Sequence, residues 1–300
     1  MTPLIRRLVP LLAALGIVAG CQPFSPEYIA ATTINPPTGD PKPAEPAVER
    51  LRDCPECPEM VVVPGGRFTT GLTTPVRAEI PSFPNDNATV VVGPFAIGRF
   101  EVTQAEFAAF VAATGHRPAG RCTARERTEP PTVDWRGLPG FGPNHPAVCL
   151  GRGDGEAYAE WLSRRTGRRY RLPTAAEWEW AARAGAPDDR FFWWGDTIHA
   201  DRAVCAPDAS SEYLIEPVGS RWVSPYGLHD MYGNVGEWMQ DCYAKGRNSS
   251  DAAVPTGSPR YCKEIEVRGM LCRYGAFSKT SRTPDFTQTN IGLRLVRELP

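Results

Sequence analysis

The run Met60-Val61-Val62-Val63-Pro64-Gly65-Gly66-Arg67-Phe68 places four apolar positions before a Pro-Gly-Gly break and a second start. This predicts strand, turn and strand. Val90 to Phe95 and Ile97 to Val102 are apolar runs of strand length and predict two more. The period then changes. Thr103-Gln104-Ala105-Glu106 is a capping box, in which the threonine oxygen and the glutamate each satisfy a free amide at a helix start. Phe107, Phe110 and Val111 follow at helical spacing, and Gly115 supplies the stop. A second helix is predicted from Gly155 to Thr166, with Asp154 as N-cap, Gly167 after it, and Tyr158, Trp161 and Leu162 on its apolar face. A third follows Arg171-Leu172-Pro173, with a capping box from Thr174 and Glu177, Trp178 and Ala181 inward, and Gly185 at its end.

The N-terminus has a different pattern. Arg6 and Arg7 precede a mostly apolar run, Leu8 to Val18, which ends in Val18-Ala19-Gly20-Cys21. A basic start, a short apolar run and small residues make a secretory signal over residues 1–20. The run is too short to span a bilayer as a stable helix. The sequence around Cys21 resembles a bacterial lipobox. That resemblance implies cleavage before Cys21, lipid on its sulfur and new amino terminus, and a membrane tether that does not span. Residues 21–53 then carry repeated prolines among small and charged residues, and are expected to form an extended tether. The globular part is expected over 54–300.

Charge and cysteine content narrow the function. With 33 basic and 34 acidic residues interspersed, the formal charge is -1, which gives no electrostatic case for nucleic acid. Beyond Cys21 stand Cys54, Cys57, Cys122, Cys149, Cys205, Cys242, Cys262 and Cys272. An even number in an exported chain points to disulfides, but eight cysteines allow 105 pairings. Cys54-Pro55-Glu56-Cys57 reads as a structural bond rather than a redox pair, because no βαβ pattern adjoins it. The four histidines show no metal-ligand spacing, and no Gly-x-Ser-x-Gly elbow is present.

Five motifs in order carry a family resemblance. They are Met60 to Gly71, Phe100 to Phe107, Tyr170 to Arg183, then Gly227-Leu228-His229-Asp230-Met231-Tyr232-Gly233-Asn234-Val235-Gly236-Glu237-Trp238, and finally Asn290-Ile291-Gly292-Leu293-Arg294. Together they resemble the formylglycine-generating enzyme, or sulfatase-modifying factor, superfamily over about 58 to 297. The resemblance implies one irregular α+β domain related to C-type lectins, with little regular structure and disulfide staples.

The family's best-known activity is oxidation of a client sulfatase cysteine to formylglycine with copper and dioxygen. Copper(I) is soft and takes thiolates. The family pattern places two cysteines five residues apart after a Gly-Gly-Ser turn. Here that turn reads Arg268-Gly269-Met270. Five residues after Cys272 stands Phe277, five before it Val267, and the nearest other cysteine is Cys262. Copper is therefore not expected. Cys272 is either a thiolate favoured by Arg268 and Arg273, the catalytic candidate, or one end of a disulfide.

The same resemblance implies a calcium loop at Asn234, Val235, Gly236 and Glu237, where side-chain and carbonyl oxygens suit a hard cation. A second loop is implied near 203–208, but Val204 stands where an asparagine is expected, leaving Asp208. Within the family frame, Cys122 pairs with Cys149 across a Pro/Gly-rich insertion, and Cys242 with Cys262 across another loop. Each closure is worth on the order of 3 kcal/mol. The function expected is a lipid-tethered envelope protein, outer-membrane or periplasmic, binding an extracytoplasmic protein or glycan. The alternative is a copper-dependent formylglycine-generating oxidase.

Overall fold

The computed structural model describes residues 33–71, 88–118, 122, 134–137, 140–186, 190–205, 214–243 and 262–300. Cys21 and the leader lie outside the described residues, as does Asp208; the side chain of Arg273 is likewise not described.

A five-stranded antiparallel sheet forms the centre. Its strands run in the order Arg50–Leu51, Met60–Val63, Phe95–Gly98, Val296–Arg297 and Tyr170–Arg171. Side chains alternate across a strand, so one sequence feeds two faces. Val61, Val63, Phe95 and Ile97 enter one core with Trp178, Met239 and Phe277. Met60, Val62 and Ala96 enter a second with Phe107, Tyr158 and Trp238. The sheet is therefore buried on both sides, which explains its nearly continuous apolar runs. The break between the two middle runs falls at Gly93-Pro94 rather than at Ala96, because proline has no N–H for the ladder.

Among the described residues, three α-helices pack around this sheet. Helix α1, Gln104–Thr114, starts at Thr103: Glu106 N donates to Thr103 Oγ1 and Thr103 N to Glu106 Oε2, and Gly115 ends it in the left-handed region. Helix α2 spans Arg152–Thr166, three residues earlier than expected. Its N-cap is Gly151, and Asp154 acts from inside the first turn by accepting the Gly151 N–H at 2.9 Å. Gly155 suits this turn, since a Cβ there would stand 2.5 Å from Leu293 Cδ2. Helix α3, Ala175–Arg183, begins at the Thr174–Glu177 box and ends at Ala184, itself left-handed, one residue before Gly185.

A four-stranded sheet carries the C-terminal motifs in the order Lys279–Arg282, Ile265–Arg268, Gly236–Cys242 and Ile291–Gly292. The last pair is parallel. Four disulfides staple the domain: Cys54–Cys57, Cys122–Cys149, Cys205–Cys272 and Cys242–Cys262. They point to an oxidising compartment outside the cytoplasm. No helix among the described residues is long and apolar enough to cross a membrane.

Much of the expected tether is instead ordered against the domain. Ile34–Asn35 pairs in parallel with Ile198–His199, and Arg50–Leu51 joins the central sheet. Thr38 bonds Asp201, Asp40 pairs with Arg202 at 2.9 Å, and Glu45 reaches Arg99 and Arg50. These polar contacts hold a strand with too little apolar content to fold alone, so the folded unit begins well before residue 54.

Candidate functional site

The C-terminal motif puts Cys272 at the start of a 3-10 helix, Cys272–Phe277. It is buried, and its sulfur is bonded to that of Cys205 across 67 residues of sequence. The contact is possible because Gly233 threads between them. A Cβ on Gly233 would meet Val204 O at 2.0 Å and Cys272 Cβ at 3.1 Å. Gly233 N donates to Gly269 O and Asn234 N to Val204 O, both at 2.9 Å. The glycine of the Gly233-Asn234 motif thus brings two distant cysteine segments together. Arg268, expected to activate Cys272, is buried among carboxylates instead: Glu266 and Glu179 both take its N–H groups. A two-thiolate copper site does not fit these residues, because every cysteine of the domain is paired.

The calcium quartet occupies the next turn and strand. Asn234 Oδ1 accepts the Glu216 N–H at 2.9 Å, and its amide donates to Glu101 Oε2 at 2.7 Å. Glu237 is fully buried; its oxygens accept Trp178 Nε1–H at 2.6 Å and Arg294 Nε–H at 2.9 Å. Calcium needs several oxygens facing it at once. Here the side-chain oxygens of Asn234 and Glu237 are spent on N–H donors, and a guanidinium already sits beside Glu237. The quartet does not fit a calcium ion as these bonds stand. Among the described residues no three His, Cys, Asp or Glu side chains are grouped to hold a metal.

Two acidic residues absent from the expected set complete this region. Glu101 bonds Asn234 and the Val235 N–H. Asp230 accepts the Gly219 N–H through Oδ2 at 2.7 Å, while its buried Oδ1 has no partner. Desolvation, followed by the charge of Asp230, pushes the Glu101 carboxyl well above its ordinary value. Burial pushes Asp230 up to about 6, and Glu237 also rises despite Arg294. Asp230 therefore holds its proton into the mildly acidic range. The sequence placed Asp230 and Arg294 inside the motifs but assigned them no role; the signal was there in Asp230-x-x-Gly233 and in the arginine that ends Asn290 to Arg294.

The two remaining expectations on cysteine concern the staples. Cys122 lies 5.3 Å from Cys149 and Cys242 lies 5.4 Å from Cys262 between Cα atoms, both in bonding range. His145 has a structural place: its Nδ1 accepts the Gly142 N–H and its ring stacks on Phe141.

Fold and motif order define an α+β domain built around a disulfide where a catalytic thiol pair is expected. Residues 46–299 match the family model described as a sulfatase-modifying factor enzyme 1-like domain, and the chain belongs to that family. It is 30% identical to the formylglycine-generating enzyme of Streptomyces coelicolor over 289 residues, covering 79% of this chain and 88% of that one. It is 27% identical to the inactive C-alpha-formylglycine-generating enzyme 2 of Mus musculus, covering 79% and 85%. The structure of PvdO from Pseudomonas aeruginosa is 32% identical with a TM-score of 0.68, covering 85% of this chain and 100% of that one. A relative named as active and one named as inactive match to similar degrees, so the arrangement of the site, rather than overall identity, must decide the function.

Proposed function

We propose that this chain is a lipid-tethered extracytoplasmic protein whose sulfatase-modifying-factor domain serves as a binding or accessory module. The observation that carries this is the Cys205–Cys272 bond. A disulfide sulfur has no thiolate to offer a soft metal or a client cysteine. The loss of the Gly-Gly-Ser turn at Arg268-Gly269-Met270 and the neutralised Glu237 support the same reading. The lipobox-like Val18-Ala19-Gly20-Cys21 supports the anchor, and an ordered segment from residue 33 would hold the domain close to the membrane.

Thiol alkylation of the purified mature protein, read by mass spectrometry before and after reduction, tests the module. All eight domain cysteines should resist label until reduced, and a cysteine-bearing peptide should elicit no copper-dependent oxygen uptake. A free Cys272 together with such uptake would establish the oxidase instead. Cys21→Ser should move the protein from the membrane fraction to the soluble extracytoplasmic fraction; retention in the membrane would sink the anchor.

A further inference from the structure

One end of the domain gathers three tryptophans beside the segment that leads back to Cys21. Trp193, Trp194 and Trp222 are half-buried there, so part of each indole faces outward. Trp194 stacks on Phe192 and donates Nε1–H to Thr197 O at 2.8 Å. Trp193 lies 5.1 Å from Trp194 and 6.1 Å from Trp222 between ring centroids. Thr197 leads into the Ile198–His199 strand, whose parallel partner is Ile34–Asn35. Arg202 ties the two features together: its guanidinium lies 4.3 Å from the Trp222 ring and bonds Asp40 at 2.9 Å.

The strap from Thr33 to Glu45 lies ahead of the family match, which starts at residue 46. It is fastened to this end, where Thr38 bonds Asp201 and Lys42 donates to Ser220 O. Residues 22–32 are all that separate it from Cys21. Fully extended, that link reaches about 40 Å. A folded chain of this length has a radius of gyration of about 18 Å, which makes it roughly 48 Å across. A domain anchored at Cys21 therefore cannot turn its far side to the bilayer. The charges here are answered locally: Asp40 pairs with Arg202 and Glu216 with Arg221, while Asp196 accepts the Phe191 N–H. No basic surplus is left to draw in anionic headgroups, and the indoles remain. Their amphipathic rings favour the boundary between water and hydrocarbon.

We infer that this end of the domain rests on the membrane that holds the anchor, with Trp193, Trp194 and Trp222 at the headgroup level of a zwitterionic lipid surface. The inference deepens the lipid-tethered reading and rests on it: the anchor attaches the chain, and the strap and the indoles orient the domain. A short tether keeps the face at an effective concentration in the millimolar range over the bilayer. A contact of millimolar affinity is then enough to fix the orientation, although it is too weak to hold an unanchored chain in dilute solution.

The test reconstitutes the mature protein in vesicles of phosphatidylcholine and phosphatidylethanolamine, with part of the acyl chains brominated near the headgroup. Part of the indole emission should be quenched. That part should be lost when Trp193→Phe, Trp194→Phe and Trp222→Phe are combined, and Trp222→Phe alone should remove its own share. Trp161→Phe should leave it in place, since that indole packs against the second core. Melting temperatures check that each variant is folded. High salt should not reverse the quenching, because the contact carries no charge surplus. Emission untouched by bromine, quenching that survives the triple change, or quenching that needs phosphatidylglycerol and fails in high salt would each overturn the inference. Protection of these indoles from aqueous iodide that grows with the protein-to-lipid ratio would also overturn it, and would give the face to a second copy of the chain. Intact mass separates the two levels. An acylated but unquenched protein removes this inference alone, whereas a mature chain without acyl groups on Cys21 removes the anchor reading and the inference with it.

Discussion

Two buried ionic clusters in this domain behave oppositely. In the first, Glu179 sits between Arg183 at 2.6 Å and Arg268 at 3.2 Å, and Arg268 also meets Glu266. Two acids face two bases. Burial alone would raise Glu179, yet the two guanidiniums hold it below its ordinary value. In the second, Glu101, Asp230 and Glu237 share one base, Arg294, and all three carboxyls rise. Burial sets the same penalty in both places; the count of partners decides which carboxylates stay charged. The balanced cluster joins α3 to the Ile265–Arg268 strand as fixed structure. The unbalanced one, which joins the Phe100, Gly227 and Asn290 motifs, disfavours charge on its carboxyls.

Removing the single base should have the largest effect. Arg294 is fully buried and donates to Glu237, to Gly98 O and to His229 O. Arg294→Met should cost about 3–5 kcal/mol at neutral pH, because uncompensated buried charge remains. Urea denaturation measures it, and the loss should shrink at pH 5 as the carboxyls protonate. An equal loss at both values would mean that the carbonyl bonds, and not the charge, carry Arg294's role.

The balanced cluster should tolerate more. Glu179→Gln keeps an acceptor for the Gly71 N–H, and Arg268 keeps Glu266. A loss of about 2 kcal/mol is expected, with little pH dependence near neutrality. A loss matching that of Arg294→Met would break the comparison, since partner count would then not predict cost.

What the sequence revealed follows the same division between local and distant. The Thr103–Glu106 and Thr174–Glu177 boxes were legible because both halves of each device lie within four residues. Asp154 misled: a capping residue and an N3 residue look alike until the first turn is seen. The resemblance named Asn234 and Glu237 as oxygen donors, but not the Glu216 N–H and Arg294 that consume them. Cys205 and Cys272 carry no local signal for each other across 67 residues, and Trp193 and Trp222 meet only in the folded chain. The tether was misjudged because its contacts are strand pairings and ion pairs whose partners, among them Ile198, Arg99 and Arg202, lie far along the chain.

Asp241 offers a finer test, because it borders the balanced cluster without sharing in its balance. Burial first, then the charge of Glu266, pushes it up to about 7, although it accepts the Ala175 N–H at the start of α3. A raised folded value means the native state binds the proton more tightly, so stability falls as pH rises from about 4 to about 7. Asp241→Asn should therefore leave stability at pH 4 unchanged and raise it at pH 8, on the order of 2 kcal/mol. A loss at pH 8 would show that the ionised carboxylate at the helix start outweighs its burial.

Asp230 should show the same sign with a smaller size. Its folded value near 6 against 3.8 places the window between about 4 and 6, with stability lost as pH rises through it. Asp230→Asn should flatten that part of the curve, by on the order of 1 kcal/mol, since Gly219 can still donate to the amide oxygen. Glu101 and Glu237 will keep a residual slope, because each still faces the other and Arg294. An unchanged slope in Asp230→Asn would assign the stored proton to Glu101. The unmet Oδ1 of Asp230 would then be a charged acceptor throughout the window.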